Sequence, residues 1–226
     1  MKDKKISAIF FDVNETLVDV AILDDLFERF CNQRLAKDWF DQLILLSFEY
    51  TIFNRYVPFT DLAKTSLSMI ESRHKISLNE SQKQEILSSY MKFPAHPDVR
   101  ESLQKLKQTK IPMYTFTNSP LKAIEGQLNN SNILEYFDAM ISVDEVKKLK
   151  PAKEVYDHAV KVANIPKEEA LLIAAHDWDT SGAIYAGWQT ALLLRKNVVP
   201  DPLAPPNRFM HASLSVLCDQ IIEQLS

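Results

Sequence analysis

The chain has 226 residues, 46% apolar and 25% charged, with a formal net charge of −4. That is the make-up of a globular protein with room for one large domain, or for a core carrying a smaller insert. The mixed charge gives no electrostatic basis for binding nucleic acid or an anionic membrane, and charged residues interrupt every apolar stretch before the roughly 20 residues a membrane span needs.

From the N-terminus, Met1-Lys-Asp-Lys-Lys5 runs straight into an apolar segment and leaves no room for a signal peptide. Cys31 and Cys218 lie far apart and fit no metal or redox spacing, so two reduced thiols and a cytoplasmic location are expected. Residues 6–12 read as a strand ending in Asp12, with Thr16 four positions on. A long stretch without strands follows, in which amphipathic patterns read as helices at 21–34, 37–53, 60–74 and 80–92. Ser77-Leu78-Asn79-Glu80 reads as a capping box opening the last of these. Pro94-Ala95-His96-Pro97 marks a return to the core. Strands then alternate with helices: strands at 111–117, 139–143, 170–175 and 190–195, helices at 120–130, 151–164 and 180–187. The prolines at 200–206 suggest a surface loop before a C-terminal helix at 211–225.

This alternation implies an α/β fold, right-handed βαβ units on a parallel sheet, interrupted by an inserted helical bundle. The expected division is a core of residues 1–16 and 95–226 and an insert of residues 17–94. Only three glycines occur, Gly126, Gly182 and Gly187, which excludes a Gly-rich dinucleotide loop and a P-loop. Four strand ends carry polar groups: Asp12, Asn14 and Thr16; then Thr117-Asn118-Ser119; then Lys150-Pro151, with Tyr156 in the helix behind; then His176-Asp177-Trp178-Asp179. The carboxyl edge of a parallel sheet is where such folds bind ligands, and a carboxylate there can form a covalent ester that water hydrolyses.

With those residues in that order, the chain resembles the haloacid dehalogenase superfamily. Asp12 and Thr16 match its first motif, Thr117 its second, Lys150 its third and residues 176–179 its fourth. Within the superfamily it is similar to the type II L-2-haloacid dehalogenases, through Asn54-Arg55-Tyr56-Val57-Pro58-Phe59, Lys150 with Tyr156, and Trp178-Asp179 with Gly182-Ala183. The resemblance implies a Rossmann-like core in which the insert, residues 17–94, is a helical cap, a hydrolase with Asp12 as nucleophile, no metal cofactor, a small 2-substituted carboxylic acid as substrate, and often a homodimer. It also implies that Thr117 and Asn118 hold the substrate carboxylate, that Lys150 keeps Asp12 ionised, that Asp179 places or activates the hydrolytic water, and that Tyr156 stands in the wall of the site; Asn14, Thr16 and Phe40 are further candidate substrate-binding residues.

Four positions depart from that branch. Its cap Arg, which holds substrate and leaving halide, corresponds to Phe40; loss of its charged hydrogen bonds, each about 1.5–3 kcal/mol, implies a roughly tenfold to hundredfold weaker reaction. Ala174 and His176 stand where the branch has Ser and Asn, and Asn14 where it usually has Tyr. His176, between acidic neighbours, is a candidate general base for the water. Two alternatives remain open here. One is an Mg²⁺-dependent phosphatase with Asp12 and Asp179 as metal ligands, although Asn14 cannot shuttle the proton a phosphatase Asp does there. The other is a non-catalytic binding module.

Overall fold

A computed structural model describes residues 5–195 and 198–225. Among these residues six strands form one sheet with every neighbouring pair parallel: β1 (Ala8–Phe11), β2 (Met113–Thr117), β3 (Ala139–Ser142), β4 (Ala170–Ala174), β5 (Gln189–Leu193) and β6 (Phe209–His211), in the order β3-β2-β1-β4-β5-β6. β1, β4 and β5 are buried along their whole length, as unbroken apolar runs must be when helices cover both faces of a sheet. The chain order reverses at β1, so Asp12 leaves the sheet at the crevice where ligands bind in such folds.

Between β1 and β2 come α1 (Leu23–Cys31), α2 (Ala36–Ile52), α3 (Phe59–His74) and α4 (Glu80–Ser89), the insertion that the helical periodicity implies. Trp39 and Ser66 tie α2 to α3: the indole N–H donates to Ala63 O (3.1 Å) and the Ser66 hydroxyl to Trp39 O (2.7 Å). The entry and exit of this insert lie side by side. Val18 bridges to Ala95, Asp19 N–H donates to Pro94 O (2.8 Å) and His96 N–H to Leu17 O (2.9 Å). Arg195 clamps that neck, with its guanidinium on the Asp98 carboxylate and on Thr16 O.

After the neck come α5 (Val99–Lys107), α6 (Leu121–Asn130), α7 (Lys153–Ala163), α8 (Asp177–Ala186) and α9 (Leu214–Glu223). Three details differ from the sequence reading. The capping box of α4 uses Asn79 and Gln82, not Ser77 and Glu80, because Asn79 is the last extended residue before the helix. α5 went unread, although Val99, Leu103 and Leu106 keep helical spacing and are fully buried. β6 has three residues just beyond the prolines, too few to show a period of two. No described helix is long and apolar enough to cross a membrane.

Candidate active site

Asp12 follows β1 directly and is only 6% exposed. Its Oδ2 accepts from the Thr16 hydroxyl (2.8 Å), and Thr16 accepts in turn from Ala175 N–H (2.8 Å) at the end of β4. Two neighbouring strand ends thus fix the carboxylate. Thr16 is completely buried and reaches Asp12 from behind the cleft rather than from the substrate side expected of it.

Lys150 reaches the same carboxylate from the loop before α7. Its ammonium donates to Phe116 O (2.7 Å), Asp179 Oδ2 (2.7 Å) and Asp12 Oδ1 (3.4 Å) and sits over the Phe116 ring at 4.2 Å. All three of its protons are in use, which satisfies a cation that is 1% exposed. Asp179, in the first turn of α8, receives the Tyr156 hydroxyl on Oδ1 (2.7 Å). Both its oxygens are therefore engaged. Tyr156 stands behind Asp179, fully buried, rather than in the cleft wall, and Asp179 acts on the cleft through Lys150.

Gly182 permits this arrangement. A Cβ there would lie 2.6 Å from the Tyr156 hydroxyl and 2.7 Å from Pro151 Cβ, closer than any real packing. Gly182→Ala is expected to displace Tyr156 from Asp179 and to destabilise the chain by about 1–3 kcal/mol. A fall in thermal midpoint of several degrees checks this, and an unchanged midpoint counts against the close packing of α7 on α8.

His176 is the N-terminal cap residue of α8. Its Nε2 is 2.9 Å from Glu15 Oε2, and its Nδ1 lies 3.5 Å from Asp12 Oδ2 without forming a hydrogen bond. The ring is sandwiched between Phe40 (centroids 5.8 Å, 27°) and Trp178 (5.2 Å, 26°). Burial disfavours its charged form, but the Asp12 and Glu15 carboxylates outweigh this and raise its pKa to about 10. At neutral pH it is an imidazolium with no lone pair to offer. In the resting site it is thus a cation beside the nucleophile, whereas the general-base role expected of it concerns the ester, in which the Asp12 charge that raises its pKa is gone. Burial likewise pushes against the Asp12 charge, yet Lys150 and His176 bring its pKa down to about 2. For Asp179, burial and the nearby Asp12 charge raise the pKa against the pull of Lys150 and Tyr156.

Asn14, Thr117 and Asn118 line the cleft with Phe40, Ile44, Phe59 and Trp178. Thr117 Oγ1 accepts from Ser119 N–H (3.1 Å) and so keeps its own proton to donate. Asn118 spends its oxygen on Lys150 N–H (2.8 Å), which leaves its amide NH₂ as a donor. Asn14 is less available. Its NH₂ donates to the Tyr90 hydroxyl (2.8 Å) and Ser119 Oγ (3.1 Å), and its oxygen accepts from Gln127 (3.2 Å). It braces the cleft floor against the cap–core junction. Glu15, unread in the sequence, orients His176 from a left-handed backbone (φ 60°) in the loop after β1.

The free space in this cleft is about 10 Å³, room for about one water. A larger, apolar cavity of about 350 Å³ lies beside it between cap and core, shares Phe59 with the cleft, and contains none of the polar or charged groups around Asp12. The two carboxylates a metal would share, Asp12 and Asp179, already share the Lys150 ammonium, and a dication would sit against that charge. Among the described residues, no group of three or more His, Cys, Asp or Glu side chains is placed to hold a metal ion.

Known proteins share this architecture. The L-2-haloacid dehalogenase of Xanthobacter autotrophicus superposes with a TM-score of 0.90 at 20% identity, over 96% of this chain and 98% of that one. Its structure with chloropropionic acid covalently bound gives a TM-score of 0.88 at 20% identity over the same shares. In sequence, the (S)-2-haloacid dehalogenase 1 of Pseudomonas sp. (strain CBS-3) is 28% identical over 215 residues, 94% of this chain and 95% of its own. The model of the haloacid dehalogenase-like hydrolases matches residues 6–187, from the strand that carries Asp12 to the end of the helix that carries Asp179, and the chain belongs to that family of hydrolases.

Proposed function

We propose that this protein hydrolyses a small 2-haloacid through an ester on Asp12, with no step routed through a metal. One observation carries the reading: a buried carboxylate, held ionised between two cations, faces a cleft with space for about one water. An Asp12 oxygen bonds to C2 of the acid, the carbon–halogen bond breaks, and the halide leaves with the electron pair. Water then adds to Asp12 Cγ and the acyl C–O bond breaks. The products are a 2-hydroxy acid, the restored carboxylate and a proton released to solvent. A single displacement at C2 inverts its configuration.

The Thr117 hydroxyl and Asn118 amide are the donors for the substrate carboxylate, and Phe40, Ile44, Phe59 and Trp178 form an apolar surround for the halogen and the alkyl group. With so little free space, even a three-carbon acid enters only when the cap lifts from the core. Relatives named (S)-2-haloacid dehalogenase, and the related structure carrying covalently bound chloropropionic acid, support the same chemistry.

The test is halide release from bromoacetate and L-2-chloropropionate in EDTA, followed by single turnover in H₂¹⁸O. Release with ¹⁸O appearing in the peptide that contains Asp12 is the expected result. Release without label in that peptide would mean direct attack by water. No release from either acid would remove the reading and turn attention to phosphate esters with Mg²⁺.

A further inference from the structure

Resting on the ester reading, we infer that His176 is the leaving-group site: its Nδ1–H receives the halide as Asp12 becomes an ester. Charge conservation frames the argument. Esterification neutralises Asp12 and places the same negative charge on the departing anion, so one cation of the cleft must change partner. Lys150 is poorly suited, because Phe116 O and Asp179 each hold a proton at 2.7 Å and neither is altered by the reaction. His176 is suited. Among the described residues lining the cleft, its Nδ1 is a charged donor paired only to Asp12, 3.5 Å from Oδ2 and outside hydrogen-bond geometry, so that esterification of Asp12 leaves its proton without a partner.

The surroundings keep the donor aimed. Glu15, from the loop after β1, holds Nε2 at 2.9 Å; Phe40 from α2 and Trp178 from α8 clamp the two ring faces. The charged groups facing the ring are Asp12 and Glu15, with Lys150 across Asp12. Because two carboxylates keep it protonated, the donor is ready at neutral pH. A large, weakly hydrated anion is well matched to an imidazolium edge between aromatic walls, where low dielectric strengthens the pairing. Phe40 thus supports a cation supplied by the core instead of supplying one from the cap.

The test separates this assignment from turnover. Asp12→Asn mimics the neutral ester, so bromide titrated into that variant at pH 6 is expected to bind saturably and to quench Trp178, which stacks on His176. Adding His176→Gln is expected to weaken bromide binding roughly tenfold to a hundredfold, as for one charged hydrogen bond. In the otherwise unaltered enzyme, His176→Gln is expected to slow halide release by a similar factor and to leave hydrolysis of preformed ester unchanged. Equal bromide affinity with and without His176, or slowing confined to ester hydrolysis, overturns the inference. Binding that needs His176 in a protein that releases no halide from any acid would instead refute the ester reading and keep an anion site.

Discussion

Asp12→Asn is expected to lower halide release by roughly 10⁴-fold or more, since an amide cannot take the place of the attacking carboxylate. The fold survives, because the amide oxygen can still accept from Thr16 and the apolar shell around β1 is untouched. Stability changes in a pH-dependent way. Asp12 ionises at about 2 in the folded chain against an ordinary 3.8, a difference worth about 2 kcal/mol. A depressed carboxylate pKa stabilises above its unfolded value, and that contribution is lost as pH falls from about 4 through 2. The Asn variant has no such limb. Its deficit in urea midpoint relative to the parent is therefore expected at pH 5 and above, and to close between pH 4 and 2. A gap that stays constant across that range would show that Asp12 is not ionised against its cations in the way the distances imply.

Much of this site was legible in the sequence because the sheet orders it. Asp12, Thr117, Lys150 and the 176–179 cluster each follow an apolar run, and a parallel sheet brings the carboxyl ends of its strands to one edge whatever the intervening lengths. The helical insert was legible for a similar reason, as four amphipathic patterns carry no period of two between them. What escaped depends on partners distant in the chain. Thr16 and Tyr156 are one layer behind the cleft because Ala175 N–H and Asp179 claim their hydroxyls, and spacing says nothing of which side of a carboxylate a neighbour takes. Asn14 reads as a substrate contact from its place two residues after Asp12, yet Tyr90, Ser119 and Gln127 occupy it. For His176, composition showed acidic neighbours and suggested a base. Distance adds that in the resting site two carboxylates close to the ring stabilise its protonated form. Asp177, its immediate neighbour, instead uses its carboxylate on the backbone N–H groups of Trp178 and Asp201.

Lys150→Met should be the most damaging change outside the nucleophile, for reasons that differ from those at Asp12. The substitution roughly preserves volume but leaves Asp12 and Asp179, both buried, facing one another without the cation between them. Breaking a buried pair from one side costs about 3–5 kcal/mol, because the remaining charge is uncompensated. Lys150 is also the largest influence lowering the Asp12 pKa against burial. Without it the Asp12 carboxyl rises toward and above its unfolded value and holds a proton into the working range. Activity is then expected to fall about 10²–10³-fold at pH 7 and to recover partly as pH is raised, with the acid limb of the rate profile displaced upward. Stability should move the other way. A carboxyl whose folded pKa exceeds its unfolded value destabilises once ionised, so the variant is weakest at neutral and alkaline pH and gains on the parent as pH falls. Opposite slopes of activity and stability against pH are the signature of a cation that acts by keeping the nucleophile charged. If instead both fell together across pH 5–9 with no displaced acid limb, Lys150 would be a packing element and the ionisation of Asp12 would have to rest on His176 alone.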